Sequence, residues 1–194
     1  MAQAPPVVLV PGLLTSPRLY AEQLPALWRL GPVTIAGIAS DDTMAAIAGR
    51  ILAAVPGRFA LAGLSMGGYI AFEILRKAPE RVDRLALLDT SARPDTPEQT
   101  RRRNDQIALA RSGRLDEVAD QLFPLLVHRS RHGDAAAREL VWRMADELTP
   151  PALSAEIAAG IPGAGLVEVA GSGHLSTLDQ PEQVTRALVE WLQA

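Results

Sequence analysis

The sequence predicts an α/β fold in which a doubly wound, mainly parallel sheet carries helices on both faces. Short apolar runs, typical of buried parallel strands, alternate with segments of helical periodicity through residues 7–92. At residues 59–70 one such run enters a Gly-x-Ser-x-Gly turn and continues as a helix. The chain has 194 residues, of which 48% are hydrophobic, and this suffices for one domain with a full core.

The first half of the chain alternates strands with helices. Short apolar runs predict strands at 7–10, 33–36, 59–64 and 84–88. Helical patterns lie between them at 19–30 and 43–55, and a third helix begins at residue 66 and is stopped by Pro79. Because parallel strands need crossover connections, this alternation favours a parallel sheet over an antiparallel one.

Residues 93–147 break the alternation and contain no predicted strand. Thr96 and Gln99 have the spacing of a capping box, so a helix is expected to begin there. Further turn residues divide the segment into short amphipathic helices at Gly113, Pro124 and Gly133. We therefore predict a helical cap at 93–147, inserted into a core formed by 1–92 and 148–194.

The C-terminal part returns to the strand and helix pattern. The apolar run at 165–170 predicts the fifth and last strand, and Pro181 opens an amphipathic closing helix. His174 lies between them in a Gly-Ser-Gly-His loop. Since the carboxyl ends of parallel strands share one sheet edge, we expect His174 and Ser65 at the same edge.

Charge and composition argue against several classes of protein. A net charge of −3 disfavours a nucleic-acid or acidic-membrane partner. The chain has no cysteine, which excludes disulfides, thiolate catalysis and cysteine-bound metals. No apolar run reaches the ~18 residues of a membrane span, and the first residues lack the basic segment of a signal sequence. We expect a cytoplasmic protein that binds neither membrane nor nucleic acid.

The turn at Ser65 has the composition that an exposed nucleophile requires. A serine held at a sharp strand-to-helix turn takes a backbone conformation that costs on the order of 1–3 kcal/mol. Gly63 and Gly67, two residues before and two after it, leave room for the close approach of neighbouring backbone. The turn presents the hydroxyl beside the free N–H groups of a helix start. The alternative is an ordinary turn with a solvated serine.

Two further histidines, His128 and His132, lie four residues apart. On a helix they would share a face, but two ligands set among arginines and without a third do not make a metal site. We expect no metal, and the arginines at 101–103 are interpreted as a solvated helix face.

Four motifs together resemble the α/β-hydrolase family over nearly the whole chain, in the order nucleophile, acid, histidine. They are Val10-Pro11-Gly12-Leu13, Gly63-Leu64-Ser65-Met66-Gly67-Gly68, Asp146-Glu147-Leu148-Thr149-Pro150 and Gly173-His174-Leu175. The resemblance implies that Ser65 is the nucleophile, His174 the general base and then acid, and Asp146 the residue that orients His174. It also implies an oxyanion hole formed by the backbone N–H groups of Leu13 and Met66.

The acid is where the chain departs from the family's pattern, in which that residue follows its own strand. Residues 140–145 instead have helical spacing, as though a strand were missing before Asp146. Five strands would then take the order 2-1-3-4-5, with a switch point between strands one and three. Asp89, at the end of strand four, is the alternative acid, because relatives resembling pancreatic lipase carry theirs there.

The resemblance implies a serine hydrolase that cleaves small esters, thioesters or lactones through an acyl-enzyme, with a small molecule as its partner and without a cofactor. The alternative is a catalytically impaired or non-enzymatic homologue that acts by binding or with a partner chain, since the strand before the acid is missing.

Overall fold

The computed structural model describes residues 4–13, 15–38, 40–141, 161 and 163–194, and within them four strands form one sheet. The strands are β1 (Val7–Val10), β2 (Val33–Ile35), β3 (Phe59–Leu64) and β4 (Val82–Leu88). Their order is β2-β1-β3-β4, and all neighbours are parallel. The order reverses between β1 and β3, which is the kind of switch point where α/β sheets open a crevice.

Helices cover both faces of this sheet. In the described part of the chain they are α1 (Leu24–Leu27), α2 (Met44–Ala54), α3 (Met66–Lys77), α4 (Pro97–Arg111), α5 (Leu115–Leu126), α6 (Ala135–Val141), α7 (Ser176–Asp179) and α8 (Pro181–Gln193). Single 3₁₀ turns lie at Pro17–Tyr20, Pro79–Arg81 and Arg129–Arg131. The four strands predicted in the first half of the chain are confirmed, as are the helices that follow the second and third of them.

Alternate residues of the central strands enter two separate cores, because successive side chains of a strand point to opposite faces. Val8 and Val10 of β1 pack with α2 and α3, through Ile47, Ile51, Ile70 and Ile74. Val7 and Leu9 pack on the other face with α1, α5 and α8, through Leu27, Leu122, Leu126, Leu188 and Leu192. All four residues of β1 and all six of β3 are buried. The two strands that lead to the candidate site are therefore the most completely buried.

The predicted fifth strand at 165–170 is wrong, and so is the five-stranded order 2-1-3-4-5. In the described residues the sheet ends at β4, and 165–170 form no ladder with it. Leu166 is 45% exposed and Val167 is 65% exposed. An apolar run becomes a strand only where it finds an edge to bond and a face to bury, and this run buries too little surface for that.

Two helix predictions fail at prolines, for opposite reasons. The single helix predicted at 19–30 is a 3₁₀ turn followed by the short α1, because Pro25 lacks the N–H that would join the two. The break predicted at Pro124 does not occur, and α5 continues to Leu126. Pro124 removes one backbone hydrogen bond of α5, and Leu122 and Leu126 on either side of it are buried in the core, which keeps the helix intact.

The capping box at the start of α4 is confirmed. The Thr96 N–H donates to Gln99 Oε1 at 2.7 Å, and the Gln99 N–H donates to Thr96 Oγ1 at 3.3 Å. The division into a core and a cap at 93–147 stays a prediction, because its second boundary lies outside the described residues. Across the described ranges, no helix combines the length and the apolar character that crossing a membrane requires.

The packing of α8 can be tested by truncating one buried side chain. Leu188 is 4% exposed within the core that α8 shares with β1 and β3, so Leu188→Ala should lower the free energy of unfolding by about 2–5 kcal/mol. Urea unfolding followed by circular dichroism measures this. Arg186→Ala, on the exposed face of the same helix, is the control and should change it by less than about 0.5 kcal/mol. Equal effects would show that α8 does not pack as described.

Candidate active site

The turn between β3 and α3 holds Ser65 in a strained conformation. Its φ is 54° and its ψ is −118°, in a region that residues with a side chain rarely adopt. The Ser65 N–H donates to the carbonyl of Leu88 at 2.9 Å, and Thr90 Oγ1 donates to the carbonyl of Ser65 at 2.8 Å. The end of β4 therefore holds both sides of the Ser65 backbone, and these bonds offset the strain.

Glycine is required on both sides of this turn because backbone atoms occupy the space of a side chain. A Cβ on Gly67 would collide with the carbonyl oxygen of Val10, and one on Gly63 would collide with that of Gly67. The start of α3 is thus pressed against the end of β1. This close approach explains the Gly-x-Ser-x-Gly spacing that the sequence analysis singled out.

The loop after β1 lies against Ser65 on its other side. A Cβ added at Gly12 would lie 3.4 Å from Ser65 Cβ, so this loop passes beside the serine side chain. Thr15 Oγ1 donates to the carbonyl of Gly12 at 2.9 Å, and the buried Tyr20 hydroxyl donates to that of Val10 at the same distance. Leu13, which follows Gly12, is 42% exposed.

His174 is buried in the loop before α7. It is 9% exposed, and burial lowers the pKa of its imidazole to about 4. The ring is therefore uncharged at neutral pH and able to accept a proton. The next residue, Leu175, donates its N–H to the carbonyl of Leu126 at 3.1 Å, which ties the loop to the end of α5.

Asp89 joins the end of β4 to the loop of His174. Its Oδ2 accepts the N–H of Ser176 at 3.2 Å and the Ser176 hydroxyl at 2.6 Å. Burial raises the pKa of Asp89 to about 6; the bonds from Ser176 lower it and the charge of Asp179 raises it further. Asp89 also has a positive φ of 46°, as Ser65 does, so both strands end in a strained residue at this edge.

The structure describes some of the residues predicted for the site, and others lie outside the described ranges. Ser65, Met66 and Leu13 lie at one sheet edge, and the loop of His174 reaches that edge through Ser176 and Asp89. Asp146, the predicted acid, lies outside the described residues, as does its motif through Pro150. Leu14, in the loop after β1, is outside them too.

Sequence reasoning missed four polar residues that support the site. They are Tyr20, Thr90, Ser176 and Asp179, all with buried hydrogen-bonding side chains. The weak signal available was a set of polar residues, Ser176, Thr177 and Asp179, between His174 and the closing helix predicted from Pro181. Nothing in their spacing indicated the distant backbone groups that they bind.

The two histidines considered for a metal, and two of the arginines at 101–103, have other partners. His128 Nδ1 is 2.9 Å from Ser130 Oγ, and His132 Nε2 is 3.3 Å from the carbonyl of Val127. Within the described ranges, no three His, Cys, Asp or Glu side chains are grouped so that they could hold a metal ion. Arg101 and Arg103 pair with Glu98 and Asp95 on the exposed face of α4.

Fold and site together define a class of protein. A family model for the alpha/beta hydrolase fold matches residues 5–132, which is well over half of the chain. The chain belongs to this family, as the resemblance of its motifs had indicated. The matched residues include the four strands, the turn at Ser65 and the end of β4 with Asp89.

The chain is similar to several solved structures of this fold. It is similar to a thermophilic esterase from Thermogutta terrifontis, with 26% identity, a TM-score of 0.85, and coverage of 100% of this chain and 91% of that one. An enol-lactonase from Burkholderia xenovorans LB400 has 22% identity, a TM-score of 0.85 and coverage of 100% and 93%. A hydrolase from Pseudomonas aeruginosa PA01 has 22% identity, a TM-score of 0.82, and coverage of 100% of this chain and 92% of that one. A comparison with curated protein sequences gives no match.

The raised pKa of Asp89 predicts a pH-dependent effect of neutralising it. The folded pKa of about 6 lies above the ordinary 3.8, so burying the ionised form destabilises the fold above pH 6, and the penalty fades as pH falls towards 4. Asp89→Asn, which can still accept the bonds from Ser176, should raise Tm at pH 8 by on the order of 5 °C and much less at pH 4.5. Differential scanning calorimetry at both values measures the difference.

The control is Asp105→Asn, on the exposed side of α4, which should leave Tm nearly unchanged at either pH. An Asp89→Asn variant that is less stable than the parent at pH 8 would contradict the assignment of a buried, unfavourable charge.

Proposed function

We propose that this protein is a serine hydrolase that cleaves small carboxylic esters, thioesters or lactones through an acyl-enzyme. The observation that carries the proposal is the strained backbone of Ser65 at the start of α3, held by Leu88 and Thr90 against the loop after β1. Strain that is kept by so many surrounding contacts is typical of functional sites. A solvated turn residue would have no need of it.

In the proposed mechanism, His174 removes the proton of the Ser65 hydroxyl as that oxygen attacks the acyl carbon. Burial lowers the pKa of His174 to about 4, so the imidazole is uncharged at neutral pH, the form that a general base needs, and the carboxylate proposed to orient it would make it more basic. The imidazolium then protonates the leaving alcohol or thiol. In the second half-reaction His174 deprotonates a water that hydrolyses the acyl-enzyme.

The negative oxygen of the tetrahedral intermediate is proposed to bind the N–H groups of Leu13 and Met66. Met66 is the first residue of α3, so its N–H has no partner four residues earlier within the helix. Leu13 follows Gly12, and the loop after β1 passes beside Ser65 at Gly12, where an added Cβ would lie 3.4 Å from Ser65 Cβ. Two backbone donors from separate segments form an oxyanion hole of the usual kind.

The carboxylate that orients His174 is proposed to be Asp146, on the match of its motif, with Asp89 as the alternative. Asp89 has in its favour a place at the end of β4 and a direct bond to Ser176, two residues after His174. Against it, Asp89 Oδ2 already accepts two hydrogen bonds from Ser176.

The substrate class follows from the apolar side chains beside the nucleophile and from the similar structures. Leu13 and Met66 flank Ser65 and suit an uncharged acyl group. The similarity to an esterase and to an enol-lactonase is consistent with small esters and lactones. These activities belong to those proteins and enter here as part of the proposal.

Removing the nucleophile tests the reaction class. Ser65→Ala should lower the hydrolysis of p-nitrophenyl acetate by at least about 10³-fold, because no oxygen remains to form the acyl-enzyme. A fluorophosphonate probe should label the parent protein at Ser65 and fail to label the variant. Ser112→Ala, a serine at the exposed end of α4, is the control and should keep both properties. Equal rates of hydrolysis in the parent and in Ser65→Ala would refute the mechanism. A folded parent protein that the fluorophosphonate probe does not label would support the alternative of an impaired or non-enzymatic homologue.

A pair of isosteric variants tests the acid. Asp146→Asn should lower kcat by up to about 10⁴-fold, because an amide leaves the imidazole in the wrong tautomer. Asp89→Asn should have a much smaller effect on turnover of the same ester. The reverse pattern, with Asp146→Asn active and Asp89→Asn inactive, would assign the role to Asp89.

A further inference from the structure

Asp179, at the end of α7, is a buried carboxylate that the proposed mechanism does not use. Its side chain is 1% exposed. A carboxylate is seldom buried so completely unless its oxygens have specific partners, because removing the charge from water is unfavourable. The partners of Asp179 therefore indicate its task.

The Oδ2 atom of Asp179 binds the two segments that meet at the loop of His174. Asp179 Oδ2 accepts the N–H of Gly173 at 2.8 Å and the N–H of His128 at 2.7 Å. Gly173 directly precedes His174, and His128 follows the end of α5. One carboxylate oxygen thus clamps the loop of His174 to the segment after α5.

The second oxygen faces a cation. Asp179 Oδ1 lies 3.6 Å from Arg131 Nη1, and that same nitrogen donates to the carbonyl of Leu178 at 2.7 Å. Arg131 also binds Asp134 Oδ2 through Nε and Nη2, at 3.2 and 2.9 Å. The guanidinium is therefore held beside Asp179 by contacts that do not involve Asp179.

The loop of His174 is closely packed at Gly173. A Cβ on Gly173 would come within 2.8 Å of the backbone at Leu126, Val127 and His128. On the other side of His174, the Leu175 N–H donates to the carbonyl of Leu126. His174 is thus anchored on both sides to residues 126–128, and Asp179 supplies the charge-assisted part of that anchor.

We propose that Asp179 is a positioning residue, whose buried carboxylate locks the loop of His174 onto residues 126–128 and thereby sets where the imidazole stands relative to Ser65. Its role in turnover rests on the proposed function, whereas its role in placing His174 does not. Asp179 acts through Gly173 and does not touch the reacting atoms.

The test compares Asp179→Asn with Asp134→Asn, a matched control. Both variants remove a carboxylate that faces Arg131, but only Asp179 binds the loop of His174. Asp179→Asn should lower kcat for p-nitrophenyl acetate by roughly 10²-fold, the loss that a displacement of about 1 Å can cause, with little change in KM. Asp134→Asn should keep both constants.

A second readout does not depend on catalysis. The imidazole of His174 is titrated by NMR, with its signals assigned by comparison with His174→Gln. In Asp179→Asn the released loop should expose the ring, so the pKa of His174 should rise from about 4 towards the ordinary 6.5. In Asp134→Asn it should stay near 4. If the pKa of His174 rises in Asp179→Asn while the parent protein has no esterase activity, the positioning of His174 is upheld and the proposed function is refuted.

The positioning role is overturned if Asp179→Asn leaves both kcat and the titration of His174 unchanged, or if Asp134→Asn changes them equally. It is also overturned if Asp179→Asn lowers Tm alone. Should that variant not fold, amide hydrogen exchange in the parent protein decides. The N–H of Gly173 should then exchange as slowly as that of His128, since both bind one buried oxygen, and rapid exchange at Gly173 would refute the clamp.

Discussion

The end of β4 holds the candidate site together. Leu88 and Thr90 bind the backbone of Ser65 on both sides, and Asp89 between them binds the start of α7. These three consecutive residues give the turn after β3 and the loop of His174 a common support. The support is firm because β4 pairs with β3 from Phe59↔Val82 to Leu64↔Leu88. A shift of β4 would therefore move both parts of the proposed catalytic machinery.

Two carboxylates near this edge are buried in different ways. Asp89 accepts hydrogen bonds from the hydroxyl and the backbone N–H of Ser176, and burial raises its pKa to about 6. Asp179 is buried with Arg131 beside it and two backbone N–H donors on one oxygen. The two carboxylates thus differ in the groups that surround them: donors from one residue for Asp89, and donors from two segments with a neighbouring guanidinium for Asp179. The charge of Asp179 in turn raises the pKa of Asp89, so the two groups are electrostatically linked.

Local sequence was sufficient for the turn at Ser65 and for the strands around it. An apolar run, two glycines and a helical segment leave few other conformations for residues 59–77, and the structure has the strand, the positive φ and the helix in that order. The predictions failed where the conformation of a segment depended on its packing against residues distant in the sequence. Residues 165–170 had the composition of a strand without an edge to bond, and Pro124 was tolerated because buried residues hold α5 on either side of it.

By itself the sequence determined which segments form β1 to β4, where the strained serine lies and which family the motifs resemble. These features are encoded in short stretches of neighbouring residues. Only the tertiary structure decided which distant groups meet. Asp89 binds Ser176 across 87 residues, and Asp179 binds His128 across 51. Such contacts leave no periodic signal in the sequence. An aspartate that binds a distant loop and one that faces water differ only in the residues that the fold brings near them.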